Sequence, residues 1–138
     1  MASIGLYLVA LISPGYVSAP GSPFTSVADP AGYECLLLGW LYGGLLAVVQ
    51  PFVLVAWCAN IFYFSLIFLA LTPPARRIPP WLGVLPFLAS LGAFTLRTLP
   101  VSIEGGGTFP VVLGSGGWFW LASFALFVPV FWLRSLDP

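Results

Sequence analysis

Few side chains in this 138-residue sequence could do chemistry, and their spacing is loose. Asp29, Glu34 and Glu104 would suit an acid/base pair or a cation site. Nothing in their separation along the chain fixes a geometry, so they are expected as solvated loop charges. Cys35 and Cys58 are too few for an iron–sulfur cluster or a structural zinc site. One continuous helix would hold them about 34 Å apart, out of disulfide reach. They are expected as small apolar side chains. Histidine is absent, which removes the commonest general base and the commonest ligand of haem, zinc and copper. Ser65, Ser90 and Ser123 therefore have no imidazole to activate them, and a serine hydrolase is not expected. Gly105-Gly106-Gly107 lacks the Lys and following helix of a phosphate loop and reads as a turn. No catalytic, metal or cofactor-ligating residue is assigned, and the expectation is a protein that is not an enzyme.

The elements that would position these residues are written for lipid. From residue 35 to residue 75 there is no Asp, Glu, Lys or Arg, whereas about 20 uncharged apolar residues suffice to cross a bilayer. Apolar residues make up 60% of the chain and charged ones 6%, against about a quarter charged in soluble domains. Four basic residues balance four acidic ones. No basic stripe is available for nucleic acid, and no polybasic patch for peripheral attachment. The reading is an all-α, polytopic integral membrane protein, one domain over residues 1–138, with the lipid bilayer as its first partner.

Four apolar blocks carry that reading: 3–17, 35–71, 81–99 and 118–133. About four spans are expected, with three to five compatible. The first block is short and interrupted by Pro14-Gly15, so it would be a thin or tilted span. It lacks the basic start of a signal peptide, and Pro20 would follow the candidate cut at Val17-Ser18-Ala19, so it is expected to be retained. Residues 18–34 read as a polar linker, and 102–117 as a Gly-rich one. The second block would be about 55 Å long as one straight helix, and Gln50-Pro51 offers a break near its middle. It reads either as a long kinked helix or as a re-entrant or interfacial segment, 35–49, leading into a span, 52–71. Two full spans are not expected, because Gln50-Pro51 is too short to reverse a helix pair in lipid.

Arg76, Arg77 and Arg134 fall on one side if the last two blocks each cross once. The positive-inside rule makes that side the cytoplasm, of a bacterial cytoplasmic membrane, with both termini there. Trp81 and Trp132 would anchor the inner interface, and Trp118 and Trp120 the outer one. Arg97, near the outer end of its block, would snorkel or pair with Glu104, Glu34, Asp29 or a partner subunit. Gln50 and Asn60 would hydrogen-bond to another helix or subunit, and Gly39 with Gly43 forms a small-x-x-x-small pattern for close helix approach. The many Phe, Trp and Tyr side chains would suit carotenoid, quinone or lipid tails held between helices, without ligation.

Three patches, Cys35-Leu-Leu-Leu-Gly39-Trp40, Trp57-Cys-Ala-Asn60 and Trp118-Phe-Trp120-Leu-Ala-Ser123, resemble a C-L-x-x-G-W, W-x-A-N, W-L-W-L-A-S arrangement in small uncharacterised bacterial membrane proteins. The resemblance implies a small polytopic membrane protein and brings no activity with it. The function expected is a non-catalytic accessory or structural subunit of a larger membrane complex, photosynthetic or respiratory, packing on partner helices and on lipid or pigment tails. A small homo-oligomeric transporter or channel is the alternative, and an intramembrane enzyme is the least supported class.

Overall fold

The computed structural model describes residues 2–20, 29–37, 51–71, 79–100 and 108–134. They are mostly helical. α1 is Ala2–Ile12 and α3 is Pro51–Leu71, with α2 between them described over residues 32–37. A composite stretch follows: a 3-10 turn Pro80–Val84, α4 at Leu85–Ser90, and a second 3-10 turn Leu91–Thr95. α5 is Ser115–Arg134. Three strands complete the order: β1 at Tyr16–Ser18, β2 at Thr98–Pro100 and β3 at Thr108–Leu113.

α3 and α5 are the two helices long and apolar enough to cross a membrane among the described residues. At 1.5 Å per residue each reaches about 30 Å, the thickness of a hydrocarbon core. Proline at the first position costs α3 no hydrogen bond, because that N–H has no partner inside the helix anyway. The four apolar elements alternate in direction. Ser3 meets Tyr63 and Tyr7 meets Asn60, so α1 runs against α3. Ser3 also meets Ser123, while Gly116 sits beside Ser13, so α1 runs against α5 as well. Gly92 lies on Phe52 and Ala56, and Gly83 lies on Phe131, so the 80–95 stretch opposes both long helices.

Two expectations change. The first block is not helical to residue 17: α1 stops at Ile12, and Pro14-Gly15 turns the chain into β1. The supposed Gly-rich linker contains β3, the central strand of an antiparallel sheet in the order β1-β3-β2. Its pairs are Val17 with Val112 and Leu99 with Phe109. The β-branched pair Val111-Val112, bounded by Gly clusters, was the strand signal. The second block does not run as one straight helix. Trp57 Nε1 donates to the Leu36 carbonyl at 2.8 Å, yet a straight helix would separate those residues by about 32 Å. Leu36 and Trp57 are thus brought together although 21 residues separate them in the chain. Gln50, Gly39 and Gly43 lie outside the described residues.

The core is aromatic. Tyr7, Tyr63, Phe124, Phe127 and Phe131 are buried together with Ala59, Leu66 and Ala89. Tyr7 stacks on Tyr63 at 5.4 Å between centroids, and Phe127 meets Tyr63 edge-on at 5.0 Å. Such ring pairs contribute about 0.5–1.5 kcal/mol each beyond the area they bury.

Candidate functional site

Polar side chains recur at helical spacing on three helices: Ser3 and Tyr7 on α1; Trp57, Asn60 and Tyr63 on α3; Trp120 and Ser123 on α5. Intervals of three and four place each set on one face. The three faces meet in a buried hydrogen-bond ladder. At its centre is Asn60, which accepts at Oδ1 from the Tyr7 hydroxyl and from Trp120 Nε1, both at 2.8 Å. Both lone pairs of that oxygen are thereby used. Asn60 Nδ2 donates to the Trp57 carbonyl at 3.0 Å.

A second rung lies one turn away. Ser3 Oγ donates to the Ser123 carbonyl at 2.8 Å, which commits its single proton. The 2.7 Å contact between Ser3 Oγ and Tyr63 OH must then have tyrosine as donor. Ser123 Oγ in turn donates to the Trp120 carbonyl at 2.7 Å. No acid, base or charged group enters the ladder. Its chemistry is alignment: it fixes the rotation and depth of α1 against α3 and α5, and it leaves no activated nucleophile. In an apolar surround each such donor would be costly to leave unpaired.

The carboxylates fasten backbone at the other end of α1. Glu34 Oε2 accepts from the Ala31 N–H at 2.9 Å, one half of a capping box at the start of α2. Asp29 Oδ1 accepts from the Ser18 N–H at 3.1 Å. Here Cys35 lies against Gly15, and both cysteines are free thiols. Burial first, and then the Glu34 carboxylate, pushes the Cys35 thiol up to about 11 from 9.0. A raised pKa means less thiolate at neutral pH, and the thiolate is the nucleophile. In a Cys58→Ala background, Cys35 should alkylate about a hundredfold more slowly than an ordinary thiol at pH 8. The rate should climb with pH toward 11; alkylation at the ordinary rate would show the thiol to be open.

Asn60 lies in the ladder and joins α1, α3 and α5. Trp120, expected at an interface, is half-buried, and its indole N–H donates to Asn60. Trp81, Trp118 and Trp132 are exposed at the ends of their helical segments. Arg97 stands beyond the second 3-10 turn, exposed, with its carbonyl accepting from the Val111 N–H at 2.9 Å. Sequence reasoning missed Ser3, Tyr7, Trp57 and Tyr63. The signal was their shared spacing with Asn60 and Ser123 in otherwise apolar runs. Leu36, Trp57, Asn60, Trp120 and Ser123 are joined in sequence by these hydrogen bonds.

Among the described residues no group of three or more His, Cys, Asp or Glu side chains could hold a metal ion. Fold and site together define a mostly helical protein with two potential membrane-crossing helices, pinned to α1 by a neutral polar ladder. No family model matches the chain, and no curated protein or solved structure matches it either.

Proposed function

We propose that this chain is an integral membrane protein serving as a non-catalytic accessory or structural subunit of a larger membrane complex, of the photosynthetic or respiratory kind. The observation that carries the reading is the surface of α3. Its mean hydropathy is 2.2, yet only 28% of its most apolar window is buried within the chain. Phe62, Phe64 and Phe68 all face outward. A helix apolar all round belongs in a protein core or a membrane. Most of this one is left exposed by its own chain, so lipid or other subunits must cover the remainder.

The finer topology follows the same logic. The 80–95 stretch has 10 of its residues in 3-10 turns and 6 in α4. The larger 3-10 rise lets it reach about 29 Å, near the thickness of the hydrocarbon core. Together with α3, α5 and a first block crossing as a thin or tilted span, it would give four crossings with both termini cytoplasmic. The three exposed tryptophans suit the headgroup regions, and the outward aromatic surface suits lipid, carotenoid or quinone tails. A transporter or channel would need polar side chains turned toward a shared path. Asn60, the polar residue of α3 nearest its middle, is instead committed inside the bundle.

Native extraction in mild detergent, followed by mass spectrometry of co-purifying chains, tests the proposal. Other membrane subunits at fixed stoichiometry are expected. A defined homo-oligomer of this chain alone would overturn the accessory role in favour of a transporter.

A further inference from the structure

A groove of about 300 Å³ lies between the 85–95 stretch and α5. One wall is Phe87, Leu91 and Phe94; the other is Trp118, Ala122 and Ala125. Each set recurs at intervals of four and three, so each wall follows one stripe of its helix for about 10 Å. The two elements are antiparallel, as Gly83 against Phe131 and Phe94 against Trp118 establish. The groove therefore runs along the helices. The small side chains of Ala122 and Ala125 open it, and the Phe94 and Trp118 rings meet edge-on at 5.4 Å at the end nearer the sheet.

We infer that this groove seats one acyl chain of an anionic phospholipid, whose phosphate is met by Arg97. The inference rests on the membrane reading above and adds a ligand to it. Cross-section excludes a helix as occupant: about 300 Å³ along about 10 Å leaves a channel about 6 Å across, narrower than the roughly 10–12 Å of a helix with its side chains, and the volume lies at the lower bound of small-ligand sites. The apolar lining offers nothing to a polar metabolite. In a bilayer the groove would lie parallel to the lipid chains. Charge chooses the headgroup. Arg97 follows Phe94 by three residues and is the one Lys or Arg between residues 78 and 133. Arg97 also interacts within the chain, and its five N–H donors can serve a phosphate as well. Lipid is as apolar as the groove, so hydrophobic transfer contributes nothing to selectivity in the bilayer. Shape and charge must supply it.

The test is native mass spectrometry of the detergent-purified full chain with palmitoyl-oleoyl phosphatidylglycerol or the phosphatidylcholine of the same tails. One retained lipid is expected, with phosphatidylglycerol favoured about fivefold, the preference a single interfacial arginine can give. Ala122→Phe should remove both lipids; Ala125→Phe, at an exposed position, should do the same without touching the core. Arg97→Gln should abolish the preference while retaining phosphatidylcholine, and Arg97→Lys should restore it. Undiminished retention in both alanine variants, or no preference in the native chain, would overturn the site while leaving the membrane reading intact. Recovery of the chain as a soluble protein without detergent would overturn the membrane reading itself.

Discussion

Gly116→Val is expected to abolish recovery of folded protein. A Cβ at this position would lie 2.5 Å from the Ser13 carbonyl oxygen, 2.8 Å from that of Pro14 and 2.9 Å from that of Ala10. All three are backbone atoms at the end of α1, where α5 begins, and no rotamer change can move them aside. The Gly116 N–H also donates to the Pro14 carbonyl at 2.8 Å, so separating the helices would break that bond too. Overpacking of this kind costs about 3 kcal/mol or more when the obstacle cannot yield. Gly5→Ala is the control: nothing lies within 4 Å of its added Cβ. In a helix interior that change should be neutral or stabilising by up to about 1 kcal/mol. Yield and melting temperature in detergent distinguish the two. A folded Gly116→Val protein would mean that α1 and α5 pack less closely than the structure has them.

Asn60→Leu should be the most disruptive single change to the polar ladder. It keeps the branched shape and heavy-atom count but strips the shared acceptor from the Tyr7 hydroxyl and Trp120 Nε1 together. An unsatisfied buried donor costs about 1–3 kcal/mol, while measured interhelical bonds in membranes average about 0.6 kcal/mol. A net loss of about 2 kcal/mol is expected, read from unfolding followed by tryptophan fluorescence. Tyr7→Phe should cost less, since it leaves Asn60 Oδ1 with Trp120. In the double variant the losses should fall short of additive, because the Tyr7 donor is gone from both states. Strict additivity would mean that Tyr7 and Asn60 do not share a bond.

The same two sites separate what was legible in the sequence from what was not. Asn60 was legible as a bonding residue, because an amide in an apolar run needs a partner. Tyr7 and Trp120 were not legible as those partners. Tyrosine and tryptophan serve equally well at membrane interfaces and in buried bonds, and only the facing helix decides which. Close approach was sought from spacing at Gly39 and Gly43, which lie outside the described residues. Among the described residues it occurs at Gly32, Gly92, Gly114 and Gly116, whose neighbours come from distant parts of the chain.

By itself the sequence determined which segments are apolar and how long they run. Two helices of about 30 Å follow from the length of uncharged runs, because backbone polarity must be satisfied within each segment. Charge placement likewise kept Asp29, Glu34 and Arg97 off the long helices. The tertiary structure alone decided the meeting of Leu36 with Trp57, the pairing of β3 between β1 and β2, and the bond from Trp120 to Asn60. Each depends on contacts between residues far apart in sequence. Apolar periodicity is silent on these in helices that are apolar on every face, since no face is marked as the one to bury.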